Sequence, residues 1–462
     1  MSMRQTNDTA EHIADIVVRQ REYFRSGATL SYEFRRRQLK LLKEALERWE
    51  RPLLEALWND MHKSEEEAVL TEFGIVRGEL RMHLAKLRRW MRCRRVASPL
   101  KLFPSRSSII AEPLGNTLIM SPWNYPVNLL LTPLVGAISS GCTAILKPSP
   151  YVPQVSETLA RMIRETFDEE YITVVQGNRE VNKMLLRQRF DMIFFTGSPS
   201  LGREVMKAAS ENLTPVVLEL GGKNPCIVDR TADVAIAARR IAWGKTLNAG
   251  QTCVAPDYLL IHRSQKEAFV KAFTDEIRRL HGDDVRADRH YVRMINDAAF
   301  QRVSAYLVDG RIVSGGSTNA AERYIEPTLL DDVSADAPVM QEEIFGPILP
   351  MLTFDTIDEV IDFVGGREKP LALYYFGDEQ SGRDVIRRTS SGGACINDVI
   401  MHLSNEKLPF GGVGYSGMGA YHGEESFRVF SHLRSVVSSP TWIDIPFRYM
   451  PYKMFGVIKK LL

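Results

Sequence analysis

Leu218-Glu219-Leu220-Gly221-Gly222-Lys223 and, further along, Gly250-Gln251-Thr252-Cys253 decide how this 462-residue chain is read. Thirty-four positions separate Glu219 from Cys253. A thiolate can attack a carbonyl carbon and a carboxylate can then activate water, so the two together suit chemistry through a covalent thioester. A single cysteine is ordinarily a small core hydrophobe. Here the setting, Asn248-Ala249-Gly250-Gln251-Thr252-Cys253-Val254-Ala255-Pro256, is polar and glycine-containing and ends an apolar helical run.

Working outward, Pro122-Trp123-Asn124-Tyr125-Pro126 lies upstream and Glu342-Glu343-Ile344-Phe345-Gly346-Pro347 downstream. These four motifs, in this order, resemble the aldehyde dehydrogenase superfamily, over a stretch from about Lys63-Ser64-Glu65 to near Phe430. The run Pro409-Phe410-Gly411-Gly412-Val413-Gly414-Tyr415-Ser416-Gly417-Met418-Gly419-Ala420-Tyr421-His422-Gly423 is similar to the class 3 branch, which includes fatty and aromatic aldehyde dehydrogenases. The resemblance implies Cys253 as nucleophile and Glu219 as general base, with the oxyanion held by the Asn124 amide and the Cys253 backbone N–H. It places Glu343 and Phe345 at the nicotinamide end of a bound NAD or NADP and makes Trp123 a further cofactor-binding candidate. It also implies an NAD(P)-dependent oxidation of medium-chain, long-chain or aromatic aldehydes to acids.

Short apolar runs interleaved with helical segments, at Thr117 to Met120, Thr143 to Leu146, Ile172 to Val175 and Met192 to Phe195, predict parallel strands of an α/β sheet. The last runs into Thr196-Gly197-Ser198-Pro199-Ser200-Leu201-Gly202, a strand-to-helix turn able to offer N–H groups to an anion. The fingerprint GxGxxG is absent, but the family uses a variant Rossmann fold with this phrase, so Gly197, Ser198 and Gly202 become candidate phosphate contacts by resemblance. Lys147, in Leu146-Lys147-Pro148-Ser149-Pro150, matches the family's adenosine-side lysine. Many relatives carry an acid three positions later, where this chain has Pro150. Its absence removes one repulsion toward a 2′-phosphate and one anchor for ribose hydroxyls, leaving the cofactor preference open.

The resemblance further implies a cofactor domain over residues 1–90 and 113–218, a catalytic α/β domain over 219–428, and a small bridging β unit with the tail over 91–112 and 429–462. Tyr125 and Trp243 are candidates for lining an aldehyde tunnel, although aromatics at such places are more often plain core. Leu39, Leu42, Leu46, Trp49, Leu53 and Leu57 read as an amphipathic helix with a break or restart near Pro52.

Composition sets the outer limits. A net charge of +2 argues against a nucleic-acid partner. Nine basic residues and no acid between Arg81 and Arg106 read as a solvated helix face leading into the bridging strand, in preference to a contact with anionic surfaces. Five scattered cysteines without a CxxC pair indicate neither a disulfide framework nor a zinc site, so no metal is expected and a reducing, cytoplasmic setting is. The N-terminus lacks the apolar core of a secretory signal. The tail from Trp442, with Lys453, Lys459 and Lys460, mixes aromatics and lysines in a way that suits peripheral membrane contact. A homodimer is implied by resemblance. The competing readings are thiol-acylating or esterase chemistry at the same cysteine, and a noncatalytic protein on a reused scaffold.

Overall fold

The computed structural model describes residues 9–444, 449–451, 455–456 and 459. Lys453 and Lys460 of the tail lie outside the described residues.

The predicted strands form, and they form because each is apolar on both faces: Asn116–Met120, Thr143–Lys147 and Met192–Thr196 are buried at every position. With Ile172–Val174, Val216–Glu219 and Gly417–Met418 they make a six-stranded sheet. The pairings are parallel except at Gly417–Met418, which runs antiparallel to Val216–Glu219. The chain thus returns to this first sheet after 416, within the stretch read as part of the catalytic unit.

A second, seven-stranded sheet is built from Pro225–Val228, Tyr258–His262, Ile348–Phe354, Thr328–Asp331, Ala372–Phe376 and Gly393–Ile396, with Arg311–Ser314 antiparallel at its edge. Arg94–Val96, Arg106–Pro113 and Ser431–Ser438 form a third, antiparallel sheet whose outermost strands are largely exposed. The architecture is the α/β class read from the sequence.

One helical expectation is corrected. Tyr32–Met61 is a single 30-residue helix that runs through Pro52. A proline inside a helix costs about 3 kcal/mol through the lost N–H and the ring clash. Beyond it, Leu53, Leu54 and Leu57 are buried in the main core, each contributing roughly 1.5–3 kcal/mol, so continued burial outweighs the break.

Candidate functional site

The two large sheets meet at a cleft of about 760 Å³ whose lining includes Trp123, Asn124, Gly197, Ser198, Glu219, Cys253, Glu343 and Phe345. Eight of the candidate site residues therefore share one cavity, although they are drawn from loops of both sheets. Four do not line it: Lys147, Gly202, Tyr125 and Trp243.

Cys253 follows an unusual turn. Asn248 and Ala249 adopt left-handed backbone angles (φ 51° and 52°), and Gly250 continues at φ 72°. Such angles are strained for residues with a Cβ and persist only where the surroundings over-determine them. The surroundings here are hydrogen bonds. The Asn248 side chain donates to the carbonyls of Asn124 (3.1 Å) and Gln251 (3.0 Å), and the Gln251 side chain donates to the carbonyls of Asn248 and Arg293. Asn224 donates to the carbonyls of Cys253 (2.8 Å) and Ala255 (3.0 Å) while accepting from the Ala372 N–H, which ties the thiol-bearing loop to the second sheet. The Tyr374 hydroxyl donates to the Val254 carbonyl.

Attack on a carbonyl carbon takes a thiolate, yet burial, followed by the charges of Glu343 and Glu219, pushes Cys253 up to about 12. Backbone N–H groups of Cys253 and Val254 favour the thiolate but are outweighed. At rest the thiol is neutral.

Glu219 ends its strand 3% exposed, and neither carboxyl oxygen has a hydrogen-bond partner among the described residues. Burial holds it well above the usual carboxylate range. Glu343 lies in a loop lashed down from three sides. Asp257 accepts the Ile344 N–H (3.0 Å), Arg302 donates to the Ile344 carbonyl (2.8 Å), and Lys223, paired with Asp257 at 2.6 Å, donates to the Glu342 carbonyl. Burial, then Asp257, raises Glu343 to about 8, and its Oε1 lacks a partner. A Cβ on Gly221 would overlap this carboxylate, so the second glycine-rich motif is cut away to admit it. Phe345 sits at φ 50° with its ring edge-on to Trp123, centroids 5.5 Å apart.

Asn124 is held from behind. Its side-chain N–H donates to the Gln251 carbonyl (3.1 Å), leaving its second amide hydrogen for the cleft. Its own carbonyl accepts from the buried Lys63 ammonium (2.8 Å), which is paired with Glu72 at 2.8 Å. The other Glu72 oxygen takes the N–H groups of Val127 and Asn128, so this carboxylate caps the buried helix Asn128–Ser140 from a different element. Glu72 itself sits in a π-turn, Val69–Phe73, which is a frequent device near functional sites.

At the phosphate turn the sequence reading is refined. The Gly197 N–H already donates to the Glu219 carbonyl (3.0 Å) and the Gly202 N–H to the Ser198 carbonyl (2.9 Å). Gly202 stands off the cleft, where a Cβ would press on Leu220 at 2.8 Å, so its role is helix packing. The hydroxyls of Ser198 and Ser200, 3.1 Å apart, face the cavity together with Arg203, which lies over the Tyr415 ring. Lys147 is buried and donates to the Pro148 carbonyl (2.8 Å), and burial lowers its ammonium to about 8. Tyr125 is buried with its hydroxyl 2.6 Å from Thr252, the neighbour of Cys253, and Trp243 is about one-third exposed.

Several site-shaping residues escaped the sequence reading: Lys63, Glu72, Asp257, Arg302 and Lys245. Lys245 is 1% exposed with no hydrogen-bond partner among the described residues, and burial lowers it to about 8. No periodic signal marks any of them.

The aldehyde dehydrogenase family matches residues 2–436. The mouse (Mus musculus) protein named aldehyde dehydrogenase family 3 member B1 is 47% identical over 435 residues, 94% of this chain and 93% of its own length. A Canis lupus familiaris protein named aldehyde dehydrogenase, dimeric NADP-preferring is 42% identical over 442 residues, 95% of this chain and 98% of its own. A solved structure described as the substrate-bound state of Staphylococcus aureus AldH superposes with a TM-score of 0.95 at 45% identity, covering 97% of this chain and 99% of that one.

Proposed function

The chain belongs to the aldehyde dehydrogenase family and oxidises aldehydes with NAD(P), and from that premise we propose that the reaction runs through a thioester on Cys253 that is hydrolysed by water activated at Glu219. The observation that carries this reading is the convergence of Cys253, Glu219 and Asn124 on one cleft.

The steps follow from the groups present. Cys253 gives up its proton to solvent water, and its sulfur bonds to the aldehyde carbon while the carbonyl π pair moves to oxygen. The second Asn124 amide hydrogen and the Cys253 backbone N–H meet that oxyanion, donors preorganised for charge that appears only at this step. NAD(P), when bound, accepts the hydride. As the oxyanion collapses, the carbon left behind is a thioester. Glu219 then takes a proton from water, the resulting hydroxide bonds to the acyl carbon, and the C–S bond breaks to release acid, the proton held by Glu219 passing to the leaving sulfur to restore thiol and carboxylate. Burial holds the unpartnered Glu219 carboxyl protonated at rest, so it must lose that proton before it acts as the base.

The residues present fit the dinucleotide. The cavity is of ligand size, and the unpartnered Oε1 of Glu343 is a hydrogen-bond acceptor that suits ribose hydroxyls. Trp123 and Phe345 would wall the nicotinamide end, with Ser198 and its turn at the phosphates. Lys147 and the lack of an acid at Pro150 suit either NAD or NADP.

Medium-chain, long-chain or aromatic aldehydes are the proposed substrates. The class 3 motif Pro409–Gly423 supports that reading, while Trp243 and Met401 are exposed apolar side chains that do not line the cleft. The proposed homodimer is supported by exposed Leu433, Val437 and Val96 on the third sheet. The same assignment gives the first sheet to the cofactor, the second to catalysis and the third to bridging. Five free cysteines support a cytoplasmic setting. Among the described residues no helix is long and apolar enough to cross a membrane. Exposed Trp442, Ile443, Met450 and Phe455 support a peripheral lipid contact by the tail, tested by vesicle flotation with and without residues from Trp442 onward.

The first experiment follows reduced-nicotinamide absorbance with NAD or NADP and aldehydes from short aliphatic to long-chain and aromatic. Signal growth with free acid as product is expected. An acylated thiol as product in place of acid would remove Glu219 from the mechanism.

A further inference from the structure

The left-handed turn ahead of Cys253 needs something to hold it, and the side-chain bonds of Asn248 account for only one side. On the other side lies Glu67, in the short helix Glu65–Ala68 between the Lys63 and Glu72 of the pair behind Asn124. Its Oε1 accepts the backbone N–H of Asn248 at 3.1 Å. That N–H belongs to the first of three consecutive residues at positive φ.

We propose that Glu67 is a positioning residue for the nucleophile, its carboxylate fixing the strained turn at Asn248 and, through that turn, the placement of Cys253. The proposal rests on Cys253 being the nucleophile. Glu67 does not line the cleft, so it acts through Asn248 and not on the substrate or cofactor. An acceptor is what this position needs, because an unsatisfied N–H at a left-handed residue adds a desolvation cost to backbone strain.

The carboxyl is also placed to respond to pH. Lys63 favours its charged form, Glu72 opposes it, His290 favours it, and the Tyr125 ring sits close enough to feel the charge. Burial dominates and raises Glu67 to about 7. Below that pH it is protonated and its bond to the Asn248 N–H loses charge assistance; above it the bond is at full strength. A charged acceptor exceeds a neutral one by about 1 kcal/mol, or roughly fivefold in rate if all of it is expressed in the transition state.

The test compares the full-length parent enzyme with Glu67→Gln and Glu67→Ala. The Gln variant keeps a carbonyl acceptor and cannot titrate. The ratio of parent to Gln kcat should be near one at pH 6 and rise through pH 7 to roughly fivefold at pH 8, with cofactor KM unchanged. Taking the ratio cancels the titrations shared by both proteins. Glu67→Ala should lose about tenfold or more in kcat at pH 8 and slow the alkylation of Cys253 by iodoacetamide, followed by mass spectrometry. If the Ala variant does not fold, the Gln ratio decides alone. A ratio independent of pH, or one that tracks a change in cofactor KM, overturns the proposal. If Cys253→Ala retains turnover, the reading of the nucleophile fails; if Cys253→Ala is inactive while the Glu67 variants match the parent, only this inference fails.

Discussion

Gly250→Ala tests whether the nucleophile turn and the Glu343 loop are locked together through their backbones. A Cβ at Gly250 would collide with the carbonyl oxygen of Gly346 and lie 2.7 Å from its carbon and 3.1 Å from the Lys245 carbonyl. Carbon atoms normally stand about 3.5–4.0 Å apart, so one loop must move by about 1 Å relative to the other. Every nearby atom is main chain, and no side-chain rotation can relieve the contact. The backbone angle (φ 72°) adds about 1–2 kcal/mol for a residue with a Cβ. A displacement of about 1 Å at a reacting centre costs on the order of a hundredfold in rate. The expected result is a thermal midpoint a few degrees lower and kcat reduced about a hundredfold, read by steady-state turnover and by scanning calorimetry. Gly27→Ala is the control. Its φ is 78°, yet a Cβ would meet only the Leu30 side chain at 3.5 Å, so a similar strain should leave kcat intact. Parent-like kcat in Gly250→Ala, or an equal loss in both variants, would refute the argument that close backbone approach, and not glycine's flexibility alone, sets this position.

Cys253→Ala should abolish turnover while leaving dinucleotide binding, measured by fluorescence titration, within a few-fold of the parent. Glu219→Gln should give a burst of reduced cofactor followed by turnover slowed by about 10² or more; uniform slowing of both phases would count against a hydrolytic base. Lys245→Met should stabilise the protein. A folded-state fall from 10.5 to about 8 corresponds to about 3 kcal/mol at pH 7. The charged form is the one disfavoured on folding, so the parent's deficit is complete below pH 8 and is relieved as pH rises toward 10.5. Urea midpoints at pH 7 and pH 10 should therefore differ more in the parent than in the Met variant.

Strands and motifs were legible for different reasons. Asn116–Met120, Thr143–Lys147 and Met192–Thr196 are buried on both faces, and continuous apolar runs of that kind announce themselves without context. The motifs carried Cys253, Glu219, Asn124 and Glu343 into one cleft because each sits at a strand end or on a loop facing it. Lys63, Glu67 and Glu72 were invisible, since charged residues around Lys63-Ser64-Glu65-Glu66-Glu67 read as a solvated face, and only tertiary packing buries Lys63 and Glu72 and half-buries Glu67. The positive φ at Asn248 and Ala249 has no glycine to signal it. Pro52 misled because local propensity was overridden by burial of the leucines beyond it. The sequence marked Gly197, Ser198 and Gly202 as candidate phosphate contacts but could not show that the Gly197 and Gly202 N–H groups also bond within the protein.

The acidity around the thiol has a chemical logic that the sequence could not reveal. Burial first, then Glu343 and Glu219, raise Cys253, so the thiol is protonated at rest. A thiol so suppressed is a poor target for oxidants, which attack thiolates. The proposed reaction needs that thiol deprotonated first, and once the C–S bond has formed it places an oxyanion in the same buried site. The Asn124 amide and the Cys253 N–H are the donors available to it, and the Asn124 side is fixed by the bonds through Asn248, Gln251 and Lys63. Rigid support of these donors is necessary, because a donor that could turn away would leave a buried oxyanion without a partner.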